Sequence, residues 1–202
     1  GFQAVEWAII YPAKIKNLLL IACNARVSPW ATAFNESQRM ALCSDPTFTK
    51  QSSVEGGREG LKGARSIALL SYRSYDGYNI TQKEEEINTL FAQKACSYQH
   101  YQGEKLALRF NSYSYYTLTK CIDSHNCGRG RGGVERALSQ IEANSVVVGI
   151  ESDVLFPIKE QIEMAKMIDG AKFYRITSSY GHDGFLLESE QTKAIIKTIL
   201  KS

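Results

Sequence analysis

Ser178-Ser179-Tyr180-Gly181-His182-Asp183-Gly184-Phe185-Leu186 sets one histidine between a glycine and an aspartate. The run Ala171 to Thr177 before it has the length and apolar texture of a strand, and Glu188 to Lys201 after it has the period of an amphipathic helix. A histidine on a loop just past a strand end is where an α/β sheet holds a proton-transfer group. Upstream, Ser145 to Ile150 is a β-branched strand that runs into Glu151-Ser152-Asp153-Val154-Leu155-Phe156-Pro157. Lys159 to Ile168 then reads as a helix, stopped at Asp169-Gly170. Strand-Asp, helix, strand-His, helix is the closing half of a serine-type hydrolase or acyltransferase, in which the nucleophile comes first along the chain.

The residue types suit that chemistry. An imidazole accepts and returns protons near neutrality, and a carboxylate on its Nδ1–H fixes the tautomer and stabilises the imidazolium. Both Asp153 and His182 fall just past expected strand C-termini, the edge where open α/β sheets keep their sites. Spacing alone leaves alternatives open. His182 could be a solvated loop histidine, Asp153 a helix N-cap, and Asp183 either an Asx-turn carboxylate or a contact for a substrate ammonium.

The rest of the chain divides by texture. Residues 1–27 carry a helix over about 2–11, with Phe2, Val5, Trp7 or Ala8, Ile9 and Ile10 on one side, and a continuous apolar strand, Lys16 to Asn24. Residues 28–130 read as a helical lid inserted between strands, with helices over 34–42, 60–72, 83–100 and 103–119 and a polar connection Ser52-Ser53-Val54-Glu55-Gly56-Gly57. Its aromatics, Tyr98, Tyr101, Phe110, Tyr113, Tyr115 and Tyr116, suit helix packing, an acyl-donor tunnel or a subunit interface. Residues 131–202 return to α/β texture, opening on a helix over 133–142. The expected class is therefore α/β, the C-terminal half of an α/β-hydrolase fold: three mostly parallel strands, flanking helices and a helical insertion. Gly1 to Pro12 reads as a helix already under way, without an initiator Met or N-cap, which predicts a chain cut inside a domain.

Composition narrows the partners. With 24 Lys+Arg against 21 Asp+Glu the net charge is only +3, which argues against a nucleic-acid binder. Lys120, Arg129 and Arg131 form a small basic knot that reads as a solvated loop. The five cysteines, Cys23, Cys43, Cys96, Cys121 and Cys127, are odd in number and lack a CxxC pair, as expected of reduced thiols in a cytoplasmic protein. His100 and His125 lack clustered ligand partners, so no metal is expected. No run reaches the roughly 20 apolar residues of a membrane span, and no secretory signal opens the chain.

Tyr180-Gly181-His182-Asp183-Gly184-Phe185-Leu186 resembles the histidine motif of homoserine O-acetyltransferases, α/β-hydrolase-fold enzymes of methionine biosynthesis. Phe2-Gln3-Ala4-Val5-Glu6-Trp7-Ala8 resembles the helix after their nucleophile elbow. Ile21 to Trp30 (Ile-Ala-Cys-Asn-Ala-Arg-Val-Ser-Pro-Trp) and Ala33 to Arg39 resemble the entry to their lid. Ser97 to Lys105 and Ser152-Asp153-Val154-Leu155-Phe156-Pro157 follow in order, so the likeness covers essentially the whole chain.

The resemblance implies a ping-pong transfer of acetyl from acetyl-CoA, through a serine, to the hydroxyl of L-homoserine. His182 would be the shared base and acid, oriented by Asp153. Asp183 would hold the acceptor's ammonium. Arg65, from Gly60-Leu61-Lys62-Gly63-Ala64-Arg65, would hold its carboxylate, with Arg73 a nearby competitor. Acetyl-CoA enters as co-substrate, with no bound cofactor, and the family implies a homodimer through lid helices. The departure is the nucleophile. Gly1 would be the last glycine of the family's Gly-x-Ser-x-Gly-Gly, so the serine would lie before residue 1, along with the oxyanion-hole donors and the N-terminal half of the fold. Ser28, Ser71, Ser74, Ser152 and Cys23 lack the strand-to-helix glycine context to replace it. The expectation is a parent enzyme whose residues 1–202 are inactive alone. The alternatives are a succinyltransferase, a serine acyltransferase or an esterase on the same scaffold, or a non-catalytic assembly module.

Overall fold

The structure, a computed structural model, describes residues 1–49, 54–86, 88–91 and 93–200. Ser52 and Ser53 of the polar connection, Ile87 and Ala92 of the expected third lid helix, and Lys201 of the last helix lie outside the described residues. The elements in chain order are α1 (Phe2–Ile10), β1 (Asn17–Ile21), α2 (Pro29–Cys43), α3 (Arg58–Tyr72), α4 (Tyr75–Gln82), α5 (Gln93–Ala107), α6 (Ser112–Asp123), α7 (Val134–Leu138), β2 (Asn144–Ile150), α8 (Ile158–Lys166), β3 (Lys172–Ile176), α9 (Gly184–Leu187) and α10 (Ser189–Leu200). They form two compact units, a core unit of Gly1–Ser28 with His125–Ser202 and a helical unit of Pro29–Ser124.

In the core unit the three strands form one parallel sheet in the order β1-β2-β3. Asn17 pairs with Asn144 through to Ile21 with Val148, and Val146 with Lys172 through to Ile150 with Ile176. Period-2 alternation sends side chains to two faces. Leu18, Leu20 and Val147 pack with Val5, Ala8 and Ile9 of α1, Ala137 and Leu138 of α7, and Met164 of α8. Val146, Val148, Ile150 and Ile176 pack with Ile195 and Ile199 of α10. Covered on both faces, β2 is buried from Ser145 to Ile150, and each Val or Ile contributes about 1.5–3 kcal/mol by leaving water. On α1 the buried residues are Val5, Ala8 and Ile9, one helical stripe; of the alternatives Trp7 and Ala8 the stripe takes Ala8, and Ile10, also expected on it, is exposed. The helix expected over 133–142 is the single turn and a half of α7.

Residues 125–130, which read as part of the helical insertion, belong to the core unit. An antiparallel bridge joins Arg26 to Asn126, Val27 N–H donates to His125 O (3.1 Å), and Cys127 N–H donates to Ala25 O (3.0 Å). Arg131 is not a solvated loop residue: it pairs with Glu6 at 2.8 Å and donates to Cys127 O at 2.7 Å. Outgoing and returning strands of chain are thus zipped together at the core.

The described residues of the helical unit contain no strand. Leu42, Leu61, Ala64 and Leu106 form its centre, with Phe48, Phe110, Tyr115 and Tyr116 packed around them. Arg39 is buried between Glu36 and Asp123, both at 2.6 Å. Beyond shifted boundaries, such as α2 starting at Pro29 where residue 34 was expected, three differences stand out. Helix α4 went unforeseen; Ser74 caps it by accepting from Gly77 N–H at 3.0 Å. The helix expected from Lys83 starts at Gln93, where Glu84 accepts from Lys94 N–H at 2.6 Å. Gly103, read as a helix start, lies inside α5: a Cβ there would sit 3.0 Å from Lys62 O, so the glycine marks a close helix crossing. Gly60 does the same between α3 and α2, where a Cβ would fall 2.6 Å from Leu42 O, a backbone atom that cannot rotate away. Gly60→Ala should therefore destabilise the helical unit by about 1–3 kcal/mol despite alanine's better helix propensity. Urea denaturation checks this; a gain in stability would show that the crossing relaxes freely.

Candidate active site

The two loops that carry Asp153 and His182 leave adjacent parallel strands at the same edge of the sheet. Asp153 lies three residues past the end of β2, and His182 six past β3. His182 Nδ1 is 2.8 Å from Asp153 Oδ2. The Asp153 side chain is 0% exposed and that of His182 19%, so the pair is shielded at the carboxylate and approachable at the ring.

The sequence left Asp153 either as a partner of histidine or as a helix cap, and the geometry joins a variant of the second to the first. Its Oδ1 accepts from Leu155 N–H and Phe156 N–H, both at 2.9 Å, in an Asx-type turn. Helix α8 starts only after Pro157. One carboxylate oxygen is thus held by the backbone and the other is aimed at the imidazole. Two charge-assisted hydrogen bonds to a carboxylate fix its plane and so the direction of the third.

His182 sits in a short 3-10 turn, Gly181–Asp183, that runs directly into α9. Gly181 has φ +67°, in the left-handed region that favours glycine. The imidazole lies among aromatic rings, 5.5 Å from Phe156 and 6.0 Å edge-on from Phe185. Phe2 meets Phe156 edge-on at 6.0 Å and stacks on His125 at 4.2 Å. Phe156 and Phe185 were not read from the sequence as site neighbours; each lies three residues past a dyad member, which was the available signal.

Asp183 follows His182 in the same turn, half-buried, and makes no capping hydrogen bond to α9. The structure thus gathers Asp153, His182 and Asp183 in the core unit. Arg65 belongs to the helical unit, midway along α3, with its guanidinium 5.5 Å from the centroid of the Tyr72 ring. Among the described residues it has no carboxylate partner. Its competitor Arg73 is engaged, donating to Tyr98 Oη at 3.3 Å.

Of the groups set aside as nucleophiles, Cys23, Ser71 and Ser74 are disfavoured by their surroundings too, and the surroundings of Cys127 and His125 suit buried structural groups. Burial pushes the Cys23 and Cys127 thiols up to about 11, which leaves almost no thiolate at neutral pH. His125 is pulled below the ordinary imidazole range by burial, and its Nε2 lies 3.2 Å from Asn24 O. Ser71 donates to Ala68 O, and Ser74 caps α4. Among the described residues no three metal-ligating side chains cluster, and no helix is long and apolar enough to cross a membrane.

No family model matches the chain. Among curated proteins, the homoserine O-acetyltransferase of Cyclobacterium marinum is 44% identical over 199 residues, 98% of this chain and 56% of the relative. Among solved structures, the homoserine O-acetyltransferase from Staphylococcus aureus superposes with a TM-score of 0.78 at 28% identity, over 100% of this chain and 56% of that one. An acetylester hydrolase from Corynebacterium glutamicum superposes with a TM-score of 0.86 at 20% identity, over 100% and 58%, a likeness of fold alone. The chain spans about half the length of the curated relatives it matches. A parallel sheet with flanking helices, an Asp-His pair at its edge and 44% identity over 98% of the chain agree: the chain is homologous to homoserine O-acetyltransferases and has an α/β-hydrolase fold.

Proposed function

We propose that these residues serve an acyltransferase of methionine biosynthesis, which moves an acetyl group from acetyl-CoA to the hydroxyl of L-homoserine. His182 Nε2 takes the proton of a serine, contributed from outside residues 1–202, as its oxygen attacks the thioester carbonyl. The C–S bond breaks and the proton passes to the CoA thiolate. In the second half His182 takes the homoserine hydroxyl proton as that oxygen attacks the acetyl-serine, and returns it to the departing serine. Asp153 holds Nδ1–H throughout and balances the imidazolium formed in each half. Asp183 holds the acceptor ammonium and Arg65 its carboxylate, for which a planar guanidinium is suited by bidentate geometry. Acetyl-CoA is a co-substrate, and the scheme uses neither metal nor bound cofactor. The reading includes a cytoplasmic homodimer assembled through the helical unit as a lid, supported by five free cysteines and by the exposed Tyr75, Ile80, Leu90 and Phe91.

The observation that carries the proposal is the 2.8 Å Asp153–His182 pair, with the carboxylate locked from behind. The 44% identity to a homoserine O-acetyltransferase supports the substrates. The test is CoA thiol release by an active polypeptide that contains these residues, with and without L-homoserine. Release should require homoserine and yield its O-acetyl ester, while residues 1–202 alone should release none. Faster transfer from succinyl-CoA, or a preference for serine, would reassign the donor or acceptor. Hydrolysis of acetyl esters without an acceptor would make it an esterase, and no turnover in any arm a non-catalytic module. In the active polypeptide, Arg65→Ala should raise the homoserine KM about 10- to 150-fold, the worth of a charge-assisted contact. An unchanged KM would remove Arg65 from the acceptor site.

A further inference from the structure

The ladder between β2 and β3 closes at Ile150 and Ile176, with one further bond from Glu151 N–H to Ile176 O at 3.1 Å. Beyond it the two loops separate, yet Asp153 and His182 must meet within a hydrogen-bond length. Ser152 spans the gap. Its hydroxyl donates to Ser178 O at 2.6 Å and accepts from Gly181 N–H at 3.0 Å. The two contacts flank Ser179-Tyr180 and stop one residue short of His182, while Ser152 itself is the residue before Asp153. Ser178 stiffens the bridged loop from within, its Oγ accepting from Tyr180 N–H at 3.1 Å. One hydroxyl, half-buried, thus uses its donor and an acceptor site to tie both loops of the dyad together.

We propose that Ser152 is a positioning residue of the acyl transfer, setting the height and tilt of the His182 ring against Asp153. The inference rests on the Asp153–His182 reading and deepens it. Proton transfer is steep in donor–acceptor geometry, and a displacement of about 1 Å costs on the order of a hundredfold in rate. Loss of the hydroxyl frees Gly181 N–H and Ser178 C=O to find other partners, and the left-handed turn at Gly181 loses its anchor.

Two measurements test this. The first uses residues 1–202 and the imidazole nitrogen NMR signals of the three histidines, with His182 assigned by its absence in His182→Asn. Wild type and Ser152→Thr should show the Nδ1–H tautomer, Ser152→Ala a mixture of tautomers, and Asp153→Asn a shift away from Nδ1–H. The second uses an active polypeptide containing these residues. Ser152→Ala should lower kcat about 10- to 100-fold with KM for both substrates within about twofold, and Ser152→Thr should restore most of it. A Ser152→Ala spectrum and kcat equal to wild type, while Asp153→Asn alters both, would overturn the positioning role alone. No response to Asp153→Asn would overturn the dyad beneath it. Equal losses in Ser152→Ala and Ser152→Thr, with lowered melting temperatures, would reduce Ser152 to a fold-stabilising role and also overturn the proposal.

Discussion

Asparagine at position 182 should lower kcat in an active polypeptide by about ten-thousandfold to a millionfold, with the fold intact. His182 handles the proton in both halves of the proposed transfer, so its loss strikes acylation and deacylation together. Removing the histidine of a nucleophile–histidine–carboxylate set costs about as much as removing the whole set, because the members act as a unit. The side chain is partly exposed and its ring lies beside Phe156 and Phe185 without filling the central core. Thermal melting should therefore move little. Stopped-flow thiol release and a melting curve on the same sample make the comparison. Retention of a tenth of the activity would show that another group moves the proton.

Position 153 separates two duties of one carboxylate. Asp153→Asn keeps an oxygen to accept from Leu155 N–H and Phe156 N–H, so the turn before α8 survives. The amide nitrogen then faces His182 Nδ1, and a donor against a donor forces the proton to Nε2. An imidazole with Nε2 protonated cannot serve as the base, and kcat should fall about ten-thousandfold. Asp153→Ala removes the acceptor as well. Two buried N–H groups lose their partner, at about 1–3 kcal/mol each, so this variant should also unfold at markedly lower urea. Equal stability of the alanine and asparagine variants would show that water replaces the carboxylate behind the turn.

Much of this was legible along the chain. Lys16 to Asn24 and Ser145 to Ile150 read as strands because a continuous apolar run has few other uses, and both correspond to strands of one parallel sheet, Asn17–Ile21 and Asn144–Ile150. The helical texture of Pro29–Ser124 was equally plain, though its boundaries were not. Gly103 reads as the start of a new helix in local code, but it lies inside α5, and its neighbour is the backbone of another helix, at Lys62. Apolar character left Trp7 or Ala8 open for the inward side of α1 and placed Ile10 there, while the helix buries Val5, Ala8 and Ile9. The Asp153–His182 pairing was readable as order along the chain and as position past two strand ends.

By itself the sequence determined the class of each segment, the strand–Asp, strand–His order and the likeness to homoserine O-acetyltransferases. Period, apolar run length and motif are local properties that each residue carries into any environment. Only the tertiary structure decided which side of Asp153 faces the imidazole, why residues 125–130 return to the core, and that Ser152 links loops 26 residues apart. Those are hydrogen bonds between distant stretches of chain. They exist only once the fold has brought those stretches side by side, and no pattern within either stretch encodes the other's position.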